Sequence, residues 1–162
     1  MDMARYRLQA SSTIAAPPED VWDAIADITR MGEFSPVCTG GEWDEGVDGA
    51  REGAWFTGHN STPERTWSTR CLVDAAERGK VFAFVNHGSD GRIPLARWQY
   101  ELSPSPQGTT VTETWQVLEG YERLLTERAP GVDVTAFLEE TRDRTGPGME
   151  ATLAALKRAC EA

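Results

Sequence analysis

One carboxylate in this sequence sits among apolar neighbours. In the segment from Thr109 to Leu118, Val111, Glu113, Trp115 and Val117 alternate with Thr110, Thr112, Thr114 and Gln116. Alternate side chains of a strand share a face, so Glu113 falls on the apolar side. Desolvation disfavours the charged form of a carboxylic acid and raises its pKa. A Glu113 tuned in this way would serve near neutral pH as a general base, removing a proton next to a carbonyl. Tyr100, on the apolar face of the segment before it, would donate a hydrogen bond to the developing enolate. The competing reading is an ion pair, with Glu113 near a strand end and held by Arg65 or another basic group. Structural pairs of that kind also perturb carboxylates.

The same periodicity picks out an aromatic surface around these two residues. Trp98, Tyr100 and Leu102 alternate with Arg97, Gln99 and Glu101. Further back, Trp67, Thr69, Cys71 and Val73 form one face of a strand from Arg65 to Ala75. Two strands are ambiguous in parity. For Val81 to His87 we take Phe82, Phe84 and Asn86 as inward, because that set offers more apolar area. For Ala54 to Asn60 we take Phe56 and Asn60 as inward. His59 and His87 then lie on the outer face, where strand-end histidines are common, although one bulge would reverse the parity.

A packed core is the ordinary meaning of such a stripe. Asn60, Thr69 and Glu113 argue for something else, since a dry core would leave them unsatisfied at roughly 1–3 kcal/mol each. An apolar cavity with a few placed polar groups is the pattern of a small-molecule site. Phe56, Trp67, Phe84, Trp98 and Trp115 would supply its walls. Asn60, Thr69, Tyr100 and Glu113 would supply its polar groups. Met149 and Leu153 would close it from a helix.

These residues must be positioned by a sheet and a covering helix. Arg5 to Ile14 alternates and reads as a first strand. Pro17-Pro18-Glu19-Asp20 opens a helix, with proline and acidic residues suited to its first turn. Val21, Ile25 and Ile28 form its stripe, and a short second helix or turn is expected from Arg30 to Ser35. Six more strands follow: Val37 to Asp44, Ala54 to Asn60, Arg65 to Ala75, Val81 to His87, Leu95 to Ser103 and Thr109 to Leu118. The last two form a hairpin across Pro104 to Gly108. Tyr121 to Ala129 reads as a short helix. Asp133 can cap a final helix from Val134, which Gly146-Pro147-Gly148 should kink or break. Met149, Leu153, Leu156 and Cys160 continue at helical spacing. Strands followed by one long terminal helix give an α+β layout. A twisted sheet of this size curls, and its concave face needs a cover.

The bulk properties exclude several classes. The chain has 162 residues, which suits one domain over 1–162 with a core that needs neither disulfides nor metal. The net charge is −10. Nucleic-acid binders carry a basic face, and here the basic residues are scattered, so no nucleic-acid partner is expected. Acidity also opposes docking on anionic membranes. The N-terminus lacks a signal-like apolar run and no segment is long enough to span a bilayer, so the expected compartment is the cytoplasm. Cys38, Cys71 and Cys160 make no CxxC pair and read as free thiols. No Walker, Rossmann, HExxH or GxSxG motif is present. Neither a metal nor an organic cofactor is expected.

Several pieces of the chain, in order, carry a family likeness: Ile14-Ala15-Ala16-Pro17 with Val21-Trp22-Asp23; Phe34-Ser35-Pro36; Gly53 to Asn60; Trp67 with Arg70-Cys71-Leu72-Val73; Phe82-Ala83-Phe84; Trp98-Gln99-Tyr100; Gly108 to Glu113; and Gly148-Met149-Glu150 with Leu153 and Leu156. Together they resemble the START-like, polyketide cyclase/dehydrase superfamily, also called SRPBCC. The likeness implies a helix-grip fold, a curved antiparallel sheet of about seven strands around a long C-terminal helix. That superfamily includes aromatic polyketide cyclases, lipid and hormone carriers and chaperone-associated proteins, with no catalytic set common to all.

Three functions follow as expectations. The first is binding of a small hydrophobic, polycyclic aromatic or polyketide-like molecule. The second is a cofactor-independent cyclase or dehydratase that uses Glu113 and Tyr100. The third is a protein-interaction module with a filled cavity, presenting its acidic surface and the segment Leu118 to Asp133. The oligomeric state stays open between monomer and homodimer.

Overall fold

The computed structural model describes residues 1–162. Seven strands form one antiparallel sheet: β1 (Arg7–Ile14), β2 (Cys38–Trp43), β3 (Trp55–Ser61), β4 (Thr66–Glu77), β5 (Val81–Asn86), β6 (Ala96–Ser105) and β7 (Gly108–Val117). Their order is β1-β7-β6-β5-β4-β3-β2, so the first and second strands occupy opposite edges. Between them in sequence come α1 (Pro18–Ala26) and α2 (Met31–Phe34), joined by a 3-10 turn at Ile28–Arg30. After the sheet come α3 (Glu119–Arg128) and α4 (Val134–Glu161). This is the expected helix-grip architecture.

Local chemistry explains the element ends. Pro18 opens α1, with Glu19 and Asp20 in the first turn, where carboxylates meet the positive end of the helix dipole. Val21, Ala24 and Ile25 are buried, and the Trp22 indole N–H donates to the Val81 carbonyl at 2.7 Å, tying α1 to the sheet. At the β6–β7 hairpin, Ser105 pairs with Gly108. Gly108 has φ +135°, and a Cβ there would stand 2.3 Å from the Ile14 carbonyl oxygen. Only glycine permits that approach. The Asp133 carboxylate accepts from the Ala136 N–H and caps α4, as its position suggested.

The Gly146-Pro147-Gly148 sequence, expected to kink or break α4, does not break it: the helix continues from Val134 to Glu161 with Pro147 inside it. Proline removes one helical hydrogen bond. Packing of α4 against β1, α1 and α2 holds the element together across that loss.

The interior is divided into two buried clusters. One gathers α1, α2 and the middle strands around Phe56, Phe82, Phe84 and Tyr100, with Leu153 and Leu156 from α4. The other gathers Tyr6, Trp115, Val117 and Leu125, with Leu138 and Met149 from α4. The long helix therefore contributes to both. No helix is long and apolar enough to cross a membrane.

Candidate ligand cavity and its buried acid

A cavity of about 640 Å³ lies between the sheet, α2 and α4. Strand register builds its walls. Phe56 stands opposite Cys71, Gly58 opposite Thr69 and Asn60 opposite Trp67. Phe84 stands opposite Trp98 on the next pair. Trp98 then faces Trp115, and Tyr100 faces Glu113. Each of these residues lines the cavity, so the parity chosen from the sequence for β3 and β5 is the one that the sheet adopts. The β4 bulge falls between Val73 and Ala75, beyond the part of the strand that reaches the cavity.

From α4, Met149 lines the cavity but Leu153 does not. Leu153 is buried in the first cluster instead, and the cavity face of the helix runs through Thr141, Thr145, Thr152 and Leu156. Three of these threonines were missed because they are polar. Each donates its hydroxyl to its own helix: Thr141 to the Phe137 carbonyl, Thr145 to that of Thr141 and Thr152 to that of Gly148. With the hydroxyls engaged, these side chains add little polarity to the wall.

Glu113 and Tyr100 form the chemical centre. Glu113 lies mid-strand in β7 and is 1% exposed; Tyr100 is 7% exposed. The Tyr100 hydroxyl donates to Glu113 Oε1 at 2.9 Å, while Oε2 is buried with no hydrogen-bond partner. No basic side chain pairs with Glu113, so the ion-pair reading is excluded; Arg65 instead lies over the Trp67 ring, 4.2 Å from its centroid. Burial pushes the Glu113 pKa up to about 7, against a smaller lowering by the Tyr100 hydrogen bond. The Tyr100 phenol is raised well above its usual range, by burial first and by the Glu113 charge second. The arrangement is an acid able to gain or lose a proton near pH 7, with one oxygen held and one free.

The remaining candidates fall outside this centre. His59 bonds the Ser68 hydroxyl at 2.8 Å on the outer side of the sheet. His87 packs against the outward Trp55, with ring centroids 5.0 Å apart. Cys38 and Cys71 line the cavity, and burial raises both thiols, Cys71 to about 12, which disfavours the thiolate. A smaller cavity of about 250 Å³ adjoins the first at Arg65, Trp67, Thr69 and Asn86, reaching the inner side of α3. The interior is open, so the filled cavity required by the interaction-module reading is absent.

Comparison with known proteins places this geometry in a family. A search of curated proteins finds no match. Among solved structures, a polyketide-cyclase-like protein of Corynebacterium glutamicum, determined by solution NMR, is 37% identical, with 95% of this chain and 90% of that chain covered and a TM-score of 0.67. The di-domain ARO/CYC StfQ from the steffimycin biosynthetic pathway matches with a TM-score of 0.73 at 13% identity, over 96% of this chain and 50% of that one. The di-domain ARO/CYC BexL from the BE-7585A pathway matches with a TM-score of 0.72 at 17% identity, over 96% of this chain and again 50% of that one. These two share the fold, and the chain spans half the length of each. The family model for polyketide cyclase / dehydrase and lipid transport proteins matches residues 5–161. The chain belongs to the polyketide cyclase/dehydrase and lipid transport family.

Proposed function

We propose that the chain binds a small, flat hydrophobic molecule, aromatic or polyketide-like, in the cavity between the sheet and α4. The observation that carries this reading is the free Oε2 of Glu113 at the wall of a cavity otherwise rich in aromatic surface. A buried polar atom without a partner costs free energy, and a ligand hydroxyl or enol would satisfy it. Trp67, Trp98 and Trp115 supply stacking area, and Asn60 supplies a second polar contact. Met149 bounds the site from α4.

A tryptophan-fluorescence titration against flat polycyclic aromatics and fatty acids tests the proposal. Saturable quenching at micromolar concentration by one class, weakened about tenfold in Trp98→Leu, is the expected result. A flat response across the panel would sink it.

A second reading is favoured by the buried Tyr100–Glu113 pair, with one carboxylate oxygen held and one free and the acid pushed by burial up to about 7. Here the ionised carboxylate takes a proton from carbon α to a carbonyl onto Oε2. Tyr100 turns its hydroxyl from Oε1 to the enolate oxygen. The carbanion then attacks a second carbonyl of the same chain, and protonated Glu113 returns the proton to the new alkoxide. The carboxylate then takes the remaining α proton and passes it to the leaving hydroxyl, so that a C=C bond forms as water departs. Glu113→Gln separates the two readings. An enzyme loses turnover while keeping affinity, and a carrier has no turnover to lose.

A further inference from the structure

We infer that the ligand carries an anionic group of the carboxylate type, held at the cavity rim between Arg65 and Arg144. The inference rests on the binding reading above and adds the class of molecule. In this acidic protein most arginines are already matched with carboxylates, as in Arg30–Glu33, Arg70–Asp44, Arg78–Asp23 and Arg97–Asp74. Arg65 and Arg144 line the cavity, are exposed at its rim and enter none of the ion pairs. Arg65 is oriented by stacking on Trp67. Burial raises the phenol of Tyr121, also on the wall, and both guanidiniums lie close enough to offset part of that rise. Glu64 is the acid nearest in sequence on this rim, and it pairs with neither arginine.

Two uncompensated guanidiniums and a phenol converge where the apolar cavity meets water. Guanidinium recognises carboxylate by charge-assisted hydrogen bonds. The protein's net charge of −10 repels anions elsewhere on the surface, so a local pair is needed to admit an acid. The molecule that fits has an apolar, flat or chain-like body directed toward Glu113 and an acidic end at the rim.

Calorimetric titration with 9-anthracenecarboxylate and its neutral carboxamide, and with dodecanoate and dodecanol, tests this. The acid of the pair whose body fits should bind roughly tenfold tighter than its neutral partner, with the ratio shrinking at high salt. In Arg65→Gln/Arg144→Gln the ratio should fall toward one. In the charge-matched control Arg7→Gln/Arg158→Gln, whose arginines do not line the cavity, it should persist. Equal affinity of acid and neutral partner in the native protein would overturn the inference while leaving the cavity reading intact. Binding by neither member of either pair would overturn both.

Discussion

Glu113 dominates the residue scale because its two protonation states differ in how well they tolerate the fold. Its ordinary value of 4.5 applies in the unfolded chain, and in the fold it titrates at about 7. Between those values the folded protein holds the proton and the unfolded chain does not, so stability falls as pH rises through the window. The contribution is complete below the lower value and lost above the upper, and it amounts to about 3 kcal/mol. Glu113→Gln keeps an acceptor for Tyr100 and cannot ionise. The stability of the native protein relative to that variant should therefore drop by about 3 kcal/mol between pH 4 and pH 8, as read by urea unfolding at each pH. Tyr100→Phe removes the one hydrogen bond that favours the carboxylate. The Glu113 midpoint should then move above 7 in a carbon-13 carboxyl titration; a downward move would refute the assignment of the Tyr100 bond as the stabilising contact. The apolar setting of Glu113 was legible from strand parity. Its freedom from Arg65 was not, because parity says which face a side chain shares and nothing about which long side chain reaches it.

At the scale of elements, the strands were more legible than the helix. Period-two alternation survives where β3 to β7 line the cavity, because the bulge in β4 occurs after Cys71 and Val73, whereas β2 shifts register at the cavity residue Cys38. The helix face was harder to read. Apolar spacing selected Met149 and Leu153, yet a 28-residue helix that straddles two clusters cannot present one apolar stripe to one surface. Its cavity face is threonine-rich instead, and no hydropathy pattern marks threonines that satisfy themselves. The Gly146-Pro147-Gly148 sequence read as a kink or break because local propensity opposes a helix there, and tertiary packing carries the helix through it. That leaves removable destabilisation in α4. A Cβ at Gly146 would meet only Leu8 Cδ1 at 3.8 Å, and one at Gly148 only Pro36 Cγ at 3.8 Å. Both are ordinary contacts, so Gly146→Ala and Gly148→Ala should each stabilise by about 0.5–1 kcal/mol in thermal unfolding. The two should differ in binding. Gly148 lines the cavity and Gly146 does not, so only Gly148→Ala should alter affinity for a ligand that fills the space near α4.

For the whole molecule, the cavity is the gap between two cores that are joined by the sheet and by α4. Tyr100 and Phe84 border it from the first cluster, and Trp115 and Met149 from the second. A ligand seated there contacts both, and it binds the folded chain alone, since the unfolded chain has no such wall. Linkage then sets the effect: at a ligand concentration one hundred times Kd, stability should rise by about 2.7 kcal/mol. For a chain of this size that is a Tm increase of about 5 to 10 °C. Wall and core substitutions should separate cleanly. Val73 is 1% exposed in the first cluster and does not line the cavity. Val73→Ala should lower the ligand-free Tm through a loss of about 2 kcal/mol, yet show the same ligand-induced increment. Trp98→Leu should show a smaller increment at equal ligand concentration, because the affinity itself is reduced. If both variants lost the increment equally, the ligand would be responding to global loosening of the fold, and the division of the interior into structural cores and a binding gap would be wrong.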